Sequence, residues 1–351
     1  MASDLLIGTY TQHLPHVDGR ADGILAAVFD GAGIEDVRLA AAADNPSWVT
    51  SSRDGSRVYA AIETEPDGAI AAFARDEDGV LTALGESSSG GAAPAYLTLD
   101  PSERFVVAGT YGGGSLSVFA LAGDGSLGER VSFVQHEGHG PNAARQEAPH
   151  VHQVSFDPVT GDLVVVDLGL GEVRFYDFGA DGSVELRPEV TVSSGAAGPR
   201  HLAFHPGGGH AFVVNELDNT IDLLRREGDR FARVSTASTR PADAVGESSA
   251  AAVRVSSSGR TVFVTNRGDD SVAVFAFESE GAEPSLALVA TVPTRGATPR
   301  DLVVSPEGDR ILVANQDGGS VAVFAFDDAE RTLEFVSLTA APTPVCLRFV
   351  G

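Results

Sequence analysis

Lysine is absent from the 351 residues, so all 24 basic side chains are arginine. There is one cysteine, Cys346, which excludes an internal disulfide and any cysteine-based metal cluster. Its place in the apolar run Val345-Cys346-Leu347 makes it a core residue rather than a nucleophile. No apolar run approaches the roughly 20 residues of a membrane helix, and no segment sustains a 3.6-residue apolar period. A Gly-x-Ser-x-Gly nucleophile elbow is missing, which argues against serine-hydrolase chemistry. Met1-Ala2-Ser3-Asp4 lacks a positive n-region and Leu5-Leu6-Ile7 is too short for a signal peptide, so a cytoplasmic setting is expected. With 49 acidic residues the formal net charge is −25. Such a field opposes nucleic acid and anionic membranes, and neither is expected as a partner. An anionic small molecule would need a local cluster of arginines.

What the chain does have is glycine, 40 residues of it, and a repeat. Stretches beginning at Asn45, Ala93, Val151, Gly198, Ala250 and Thr298 share one plan. A short alternating run comes first, then a turn such as Asp100-Pro101-Ser102-Glu103, a valine-rich run, a polar loop, and a run ending in aromatics such as Val118-Phe119. Aligned on Pro46, Pro94, Val151, Pro199, Ala250 and Pro299, the units are spaced by 48, 57, 48, 51 and 49 residues. Period-two alternation with β-branched enrichment means strands. Four strands in about 50 residues, repeated, mean a β-propeller. A seventh unit is split. Pro344–Val350 reads as its first strand, Leu5–Thr11 as its second strand and loop, and Gly23–Phe29 as its third. The expected fold is all-β: one domain over residues 1–351, with seven blades of four antiparallel strands and the ring closed by the C-terminal strand against the N-terminal blade.

The longest spacing precedes Val151 and belongs to an enlarged polar loop, Gly138-His139-Gly140-Pro141-Asn142 through Ala148-Pro149-His150-Val151-His152. It also carries Arg145, Gln146 and Glu147. In an antiparallel blade the loop leading into the first strand and the loop between the second and third strands lie at the same end. The varied loops therefore share one face around the central channel, where function is expected. That face collects His150, His152, Arg200, His201, Arg300 and Asp301 from the lead-in loops. The loops between second and third strands add Tyr10, Glu63, Tyr111, Asp167, Glu216, Arg267 and Gln316. Arginine suits bidentate binding of phosphate or carboxylate; histidine and glutamate suit proton transfer. Plainer roles compete. Glu216 suits a hydrogen bond between blades, Arg267 and Arg300 suit salt bridges at the channel mouth, and Glu63 suits a structural or solvated role. His205 and His210 belong to the far end and read as surface. A metal on His150 and His152 would need a third ligand that is not evident, so no metal or other cofactor is expected.

The motifs HEGHGPNAARQEAPHVHQVSFDP, YGGGSLSVF, GPRHLAFHPGGGHAFVVNELDNTI, TNRGDDSVAVF, TPRDLVVSPEGDRILVANQDGGSVAVF and PTPVCLRFV, in this order and spacing, resemble the lactonase family of seven-bladed β-propellers. The resemblance runs from Gly8 to the C-terminus. It implies a cytosolic enzyme acting on a small-molecule sugar lactone, hydrolysing 6-phospho-D-glucono-1,5-lactone in the pentose phosphate pathway. A cycloisomerase branch of the fold implies a site of one His, two Arg and a Glu. On this chain these are His150 or His152, Arg200, Glu216 and Arg267 as catalytic residues; from the loop face, Tyr111, His201, Arg300 and Gln316 are expected as substrate-binding neighbours. The family often has His where Tyr96 stands and an acid where Ala252 stands. A muconate-type dicarboxylate as substrate and a non-enzymatic binding propeller are the competing readings. Oligomeric state is not readable from the sequence.

Overall fold

The computed structural model describes residues 2–279 and 283–350. Seven antiparallel sheets of at least four strands each succeed one another along the chain. Blade 1 is the split one: Pro344–Phe349 pairs with Ser3–Thr9, which pairs with Gly23–Phe29 and then Ile34–Ala42. Blades 2 to 7 follow, each opening with the innermost strand: Pro46–Ser51, Pro94–Leu99, Val151–Phe156, Pro199–Phe204, Ser249–Val255 and Pro299–Val304. The closure is the one expected, with Leu5 opposite Phe349 and Gly8 opposite Cys346. Helix among the described residues is confined to two three-residue 3-10 turns, at Pro188–Val190 and Gly195–Ala197. In blade 6 the turn expected ahead of the strand Ser285–Pro293 includes residues 280–282, which lie outside the described residues.

The core is divided among the seams between blades. Strand alternation sends successive residues to opposite neighbours. In the second strand of blade 6, Val262 and Val264 pack toward blade 5, beside Phe212 and Val214, while Phe263 packs toward blade 7, beside Leu302 and Ile311. Both faces of the inner strands are thus dry, which is why they read as nearly continuous Val, Ile, Ala and Phe. The seam at the ring closure is built the same way: Leu5 and Ile7 meet Leu312 and Ala314 of blade 7, and Leu347 joins them.

One irregularity recurs and positions the functional face. Near its start, every innermost strand shifts register against the next strand, leaving one residue, or in blade 6 the two residues Ala251 and Ala252, without a partner in the ladder. Such bulges redirect a side chain out of the pleat. Around the ring the first displaced residues are Val345, Ser47, Ala95, His152, Arg200, Ala251 and Arg300. All but Ala251 line one small pocket at the channel mouth. In five blades the residue just before the inner strand, Asn45, Ala93, Gly198, Thr298 or Thr343, has a positive φ that turns the chain inward. At Gly198 a Cβ would also stand 2.5 Å from the Leu217 side chain, so glycine is needed there twice over.

Candidate active site

Glu216 is the electrostatic hub of the mouth. It follows the second strand of blade 5 and is buried. Its Oε2 lies 3.0 Å from Arg200 Nε and 2.8 Å from Arg267 Nη2, and its Oε1 accepts a 2.6 Å hydrogen bond from Arg145 Nη2. Burial alone would raise its pKa. The guanidiniums of Arg267 and Arg200, with His152 and Arg145, outweigh this and hold the carboxyl well below its usual range. Both oxygens are occupied by cations, so Glu216 is a poor proton acceptor. Its expected role in activating water does not suit this geometry; it fixes arginines instead.

Arg200 is almost wholly buried and donates from Nη1 to Ala251 O at 2.8 Å. Burial, together with the charges of Arg267 and Arg300, presses its pKa down. Arg267 donates from Nη2 to Ala250 O at 3.1 Å. Arg300, on blade 7, donates from Nη2 to Tyr10 Oη at 2.9 Å and from Nη1 to Gln316 Oε1 at 3.3 Å, with its guanidinium over the Tyr10 ring. Tyr10 in turn donates to Glu63 Oε1 at 2.8 Å. The second oxygen of Glu63 has no protein partner among the described residues, and Glu63 lines the same pocket as Arg200, Arg300, His152 and His201. Tyr10 and Glu63 thus belong to the site. The available signal was positional: Glu63 holds in blade 2 the place that Glu216 holds in blade 5.

The two histidines of the Pro-His-Val-His motif part company. His150 stacks on Tyr111 with ring centroids 4.4 Å apart. Its Nδ1 lies 2.9 Å from Tyr111 O, to which it donates, and its Nε2 faces Glu147, 3.4 Å away. His152 is the displaced residue of blade 4 and faces the pocket beside Arg200. Burial first, then the Arg200 charge, holds its pKa well below 6.5, so the ring is neutral near pH 7. His201 is likewise held neutral by burial and by Arg200. The buried Nδ1 atoms of both rings and Ser47 Oγ have no protein partner among the described residues. His139 is exposed on the enlarged loop and joins none of these contacts.

Below the mouth, the channel is closed by aromatics. Trp48 and Tyr96 stack at 3.8 Å, and His201 packs its edge against both. Tyr96 Oη accepts a 3.3 Å hydrogen bond from Gln153 Nε2. Tyr96, where the family resemblance leads one to expect histidine, is therefore part of a floor. Beneath it a cavity of about 440 Å³ is lined by all seven inner strands. It is far larger than the pocket above, but the converging charges and histidines lie above the floor. Asp301, expected on the loop face, lies out of the mouth: it is fully buried, pairs with Arg254 at 2.8 Å and accepts the Leu347 N–H at 3.0 Å. Ala252 occupies the matching place in blade 6 and has no side chain that could make such a link. Asp167 is also fully buried, turned to the root of the enlarged loop and away from the mouth.

The mouth therefore gathers four guanidiniums, Arg145, Arg200, Arg267 and Arg300, against two carboxylates, Glu63 and Glu216. In a chain of net charge −25 this is a locally cationic pocket. Its neutral imidazole stands beside two arginines, an arrangement able to take up a proton next to a polarised carbonyl.

The pattern of the family described as "Lactonase, 7-bladed beta-propeller" matches residues 4–349. A 6-phosphogluconolactonase of Bacillus subtilis is 33% identical over 356 aligned positions, covering 98% of this chain and 97% of that protein. Among solved structures, a Lactobacillus plantarum protein superposes with a TM-score of 0.92 at 30% identity, covering 100% of both chains. A periplasmic gluconolactonase of Pseudomonas aeruginosa superposes with a TM-score of 0.92 at 28% identity, covering 100% of this chain and 99% of its own. No helix among the described residues is long and apolar enough to cross a membrane.

Proposed function

The chain belongs to the seven-bladed β-propeller lactonase family, and we propose that it hydrolyses an anionic sugar lactone, 6-phospho-D-glucono-1,5-lactone, to 6-phosphogluconate. The observation that carries this reading is the shared pocket of a neutral His152 with the guanidiniums of Arg200 and Arg300. In the proposed reaction Arg300 and Arg200 polarise the lactone carbonyl and stabilise the oxyanion that develops on it. His152 takes a proton from water as the water oxygen bonds to the carbonyl carbon. The ring C–O bond then breaks, the imidazolium returns the proton to the departing ring oxygen, and the new carboxylic acid releases its proton to solvent. Glu216 holds Arg200 and Arg267 in place; Glu63, through Tyr10, holds Arg300. Tyr111, His150, His201 and Gln316 shape and support the pocket.

The Bacillus subtilis relative bears the name of this activity, and the cationic mouth suits a phosphorylated substrate. A phosphorylated sugar is retained inside a cell, so a cytoplasmic setting and a place in pentose phosphate metabolism go with this reading. The test is phospholactone turnover above the spontaneous rate. His152→Asn and Arg300→Ala are each expected to lower kcat/KM by about 100-fold or more. Wild-type protein no faster than buffer would end the proposal.

A further inference from the structure

The enlarged loop ahead of blade 4 delivers one guanidinium that differs from its neighbours. Arg145 uses Nη2 for both of its protein contacts, Glu216 Oε1 at 2.6 Å and Tyr111 Oη at 3.3 Å. Its Nε and Nη1 have no protein partner among the described residues. Its side chain is 45% exposed, whereas Arg200 and Arg267 are 2% and 16% exposed. Those two are tied to Glu216 and to the carbonyls of Ala251 and Ala250, and the Nε of each is buried without a hydrogen-bond partner among the described residues. Arg300 spends both terminal nitrogens on Tyr10 and Gln316. Of the four, Arg145 alone is exposed, held at Nη2 while Nη1 and Nε stay open to solvent.

The loop holds that geometry. Gln146, fully buried, donates from Nε2 to Leu168 O at 2.8 Å and Gly195 O at 2.9 Å, and its Oε1 accepts the Asn142 N–H at 3.0 Å. A Cβ at Gly140 would stand 2.6 Å from the Gln146 amide carbon and 2.7 Å from Gly169 O, so the loop closes tightly over Gln146. A guanidinium held through Nη2 presents its Nη1 hydrogens to the rim in a fixed direction, ready for charge-assisted hydrogen bonds to an oxyanion.

We propose that Arg145 is the specificity residue of the site: its free Nη1 binds the phosphate of the substrate, while the lactone ring lies deeper, at His152, Arg200 and Arg300. This rests on the phospholactone reading given above. It places the phosphate at the rim rather than on the buried arginines and makes the enlarged loop the element that separates phosphorylated from unphosphorylated lactones.

The experiment is calorimetric titration with 6-phosphogluconate and with gluconate, the two stable product acids, so that no turnover is needed. Wild type is expected to prefer the phosphorylated acid. In Arg145→Ala the ratio of the two affinities is expected to fall by at least about fivefold, the loss of a charge-assisted contact. Arg145→Lys keeps the charge without the fork and is expected to retain more of the ratio than alanine; Arg145→Gln replaces the alanine variant if that does not fold. A smaller fall, an equal loss for both acids, or a wild type without preference would overturn the assignment of Arg145 while leaving lactone hydrolysis standing. A wild type that binds neither acid would count against the function itself.

Discussion

The His136 imidazole meets the Asp167 carboxylate at 2.6 Å, with neither side chain exposed to solvent. Asp167 also accepts the backbone N–H of His150 at 2.8 Å and that of Leu170 at 2.9 Å. The far side of His136 bonds to Tyr176 Oη at 2.7 Å. His136 and His150 are the two roots of the enlarged loop, so one carboxylate clasps both. Asp167→Ala is expected to cost about 3 kcal/mol, because it strands buried donors. Urea denaturation measures that, and hydrogen exchange should show faster opening of the amides of residues 137–149 than in wild type.

Glu216→Gln removes the charge that three guanidiniums share. The variant is expected to lose about 3 kcal/mol of stability, because three buried or half-buried cations are left without their counter-charge. Sulfate should restore its Tm more than it raises that of wild type, since an anion in the mouth replaces the missing carboxylate. An equal response of both proteins to sulfate would show that the hub is not electrostatic.

The Trp48–Tyr96 floor predicts a spectroscopic signature, because Trp48 is the one tryptophan of the chain. Tyr96→Ala joins the pocket above to the cavity below and should shift Trp48 emission to the red. The loss of a stacked ring is expected to cost about 3 kcal/mol. Unchanged emission would mean that water does not reach the indole.

His152 and His201 give stability a pH dependence of fixed sign. Their folded pKa values lie below the unfolded value of about 6.5, so the unfolded chain binds the protons first. Stability is complete above pH 6.5 and falls as pH drops below it, by up to about 1.4 kcal/mol per pH unit for each ring. His205 and His210 are shifted the same way by burial and add to the slope. Buried Asp301, whose pKa burial raises, works in the opposite sense at more acid pH. His152→Gln should shallow the decline between pH 6.5 and 5 in urea titrations. A decline as steep as wild type would mean that this ring is not the one being desolvated.

Much of this architecture is legible in the sequence because a propeller repeats its instructions. Pro46, Pro94, Pro199 and Pro299 mark equivalent strand starts, and the 57-residue spacing isolates the enlarged loop. His152, Arg200 and Arg300 are legible as facing the channel because their blades share one register. What the repeat cannot tell is which side chains spend themselves on each other. Glu216 reads as a candidate base until three arginines, one of them 71 residues away in sequence, are seen on it. Glu63 and Tyr10 belong to blades 2 and 1, and their link to Arg300 of blade 7 spans the ring closure. Asp167 and Asp301 sit at loop-face positions in the repeat, yet both turn inward to satisfy buried donors.

The displaced residue at the head of each inner strand has a wider consequence. Since it stands outside the hydrogen-bonded ladder, its side chain can change without disturbing the pairing that holds the blade. Val345, Ser47, Ala95, His152, Arg200, Ala251 and Arg300 thus behave as seven interchangeable sockets around one axis. New chemistry can be plugged in one socket at a time while the seams keep the ring folded, which gives a single scaffold a route from one substrate to another.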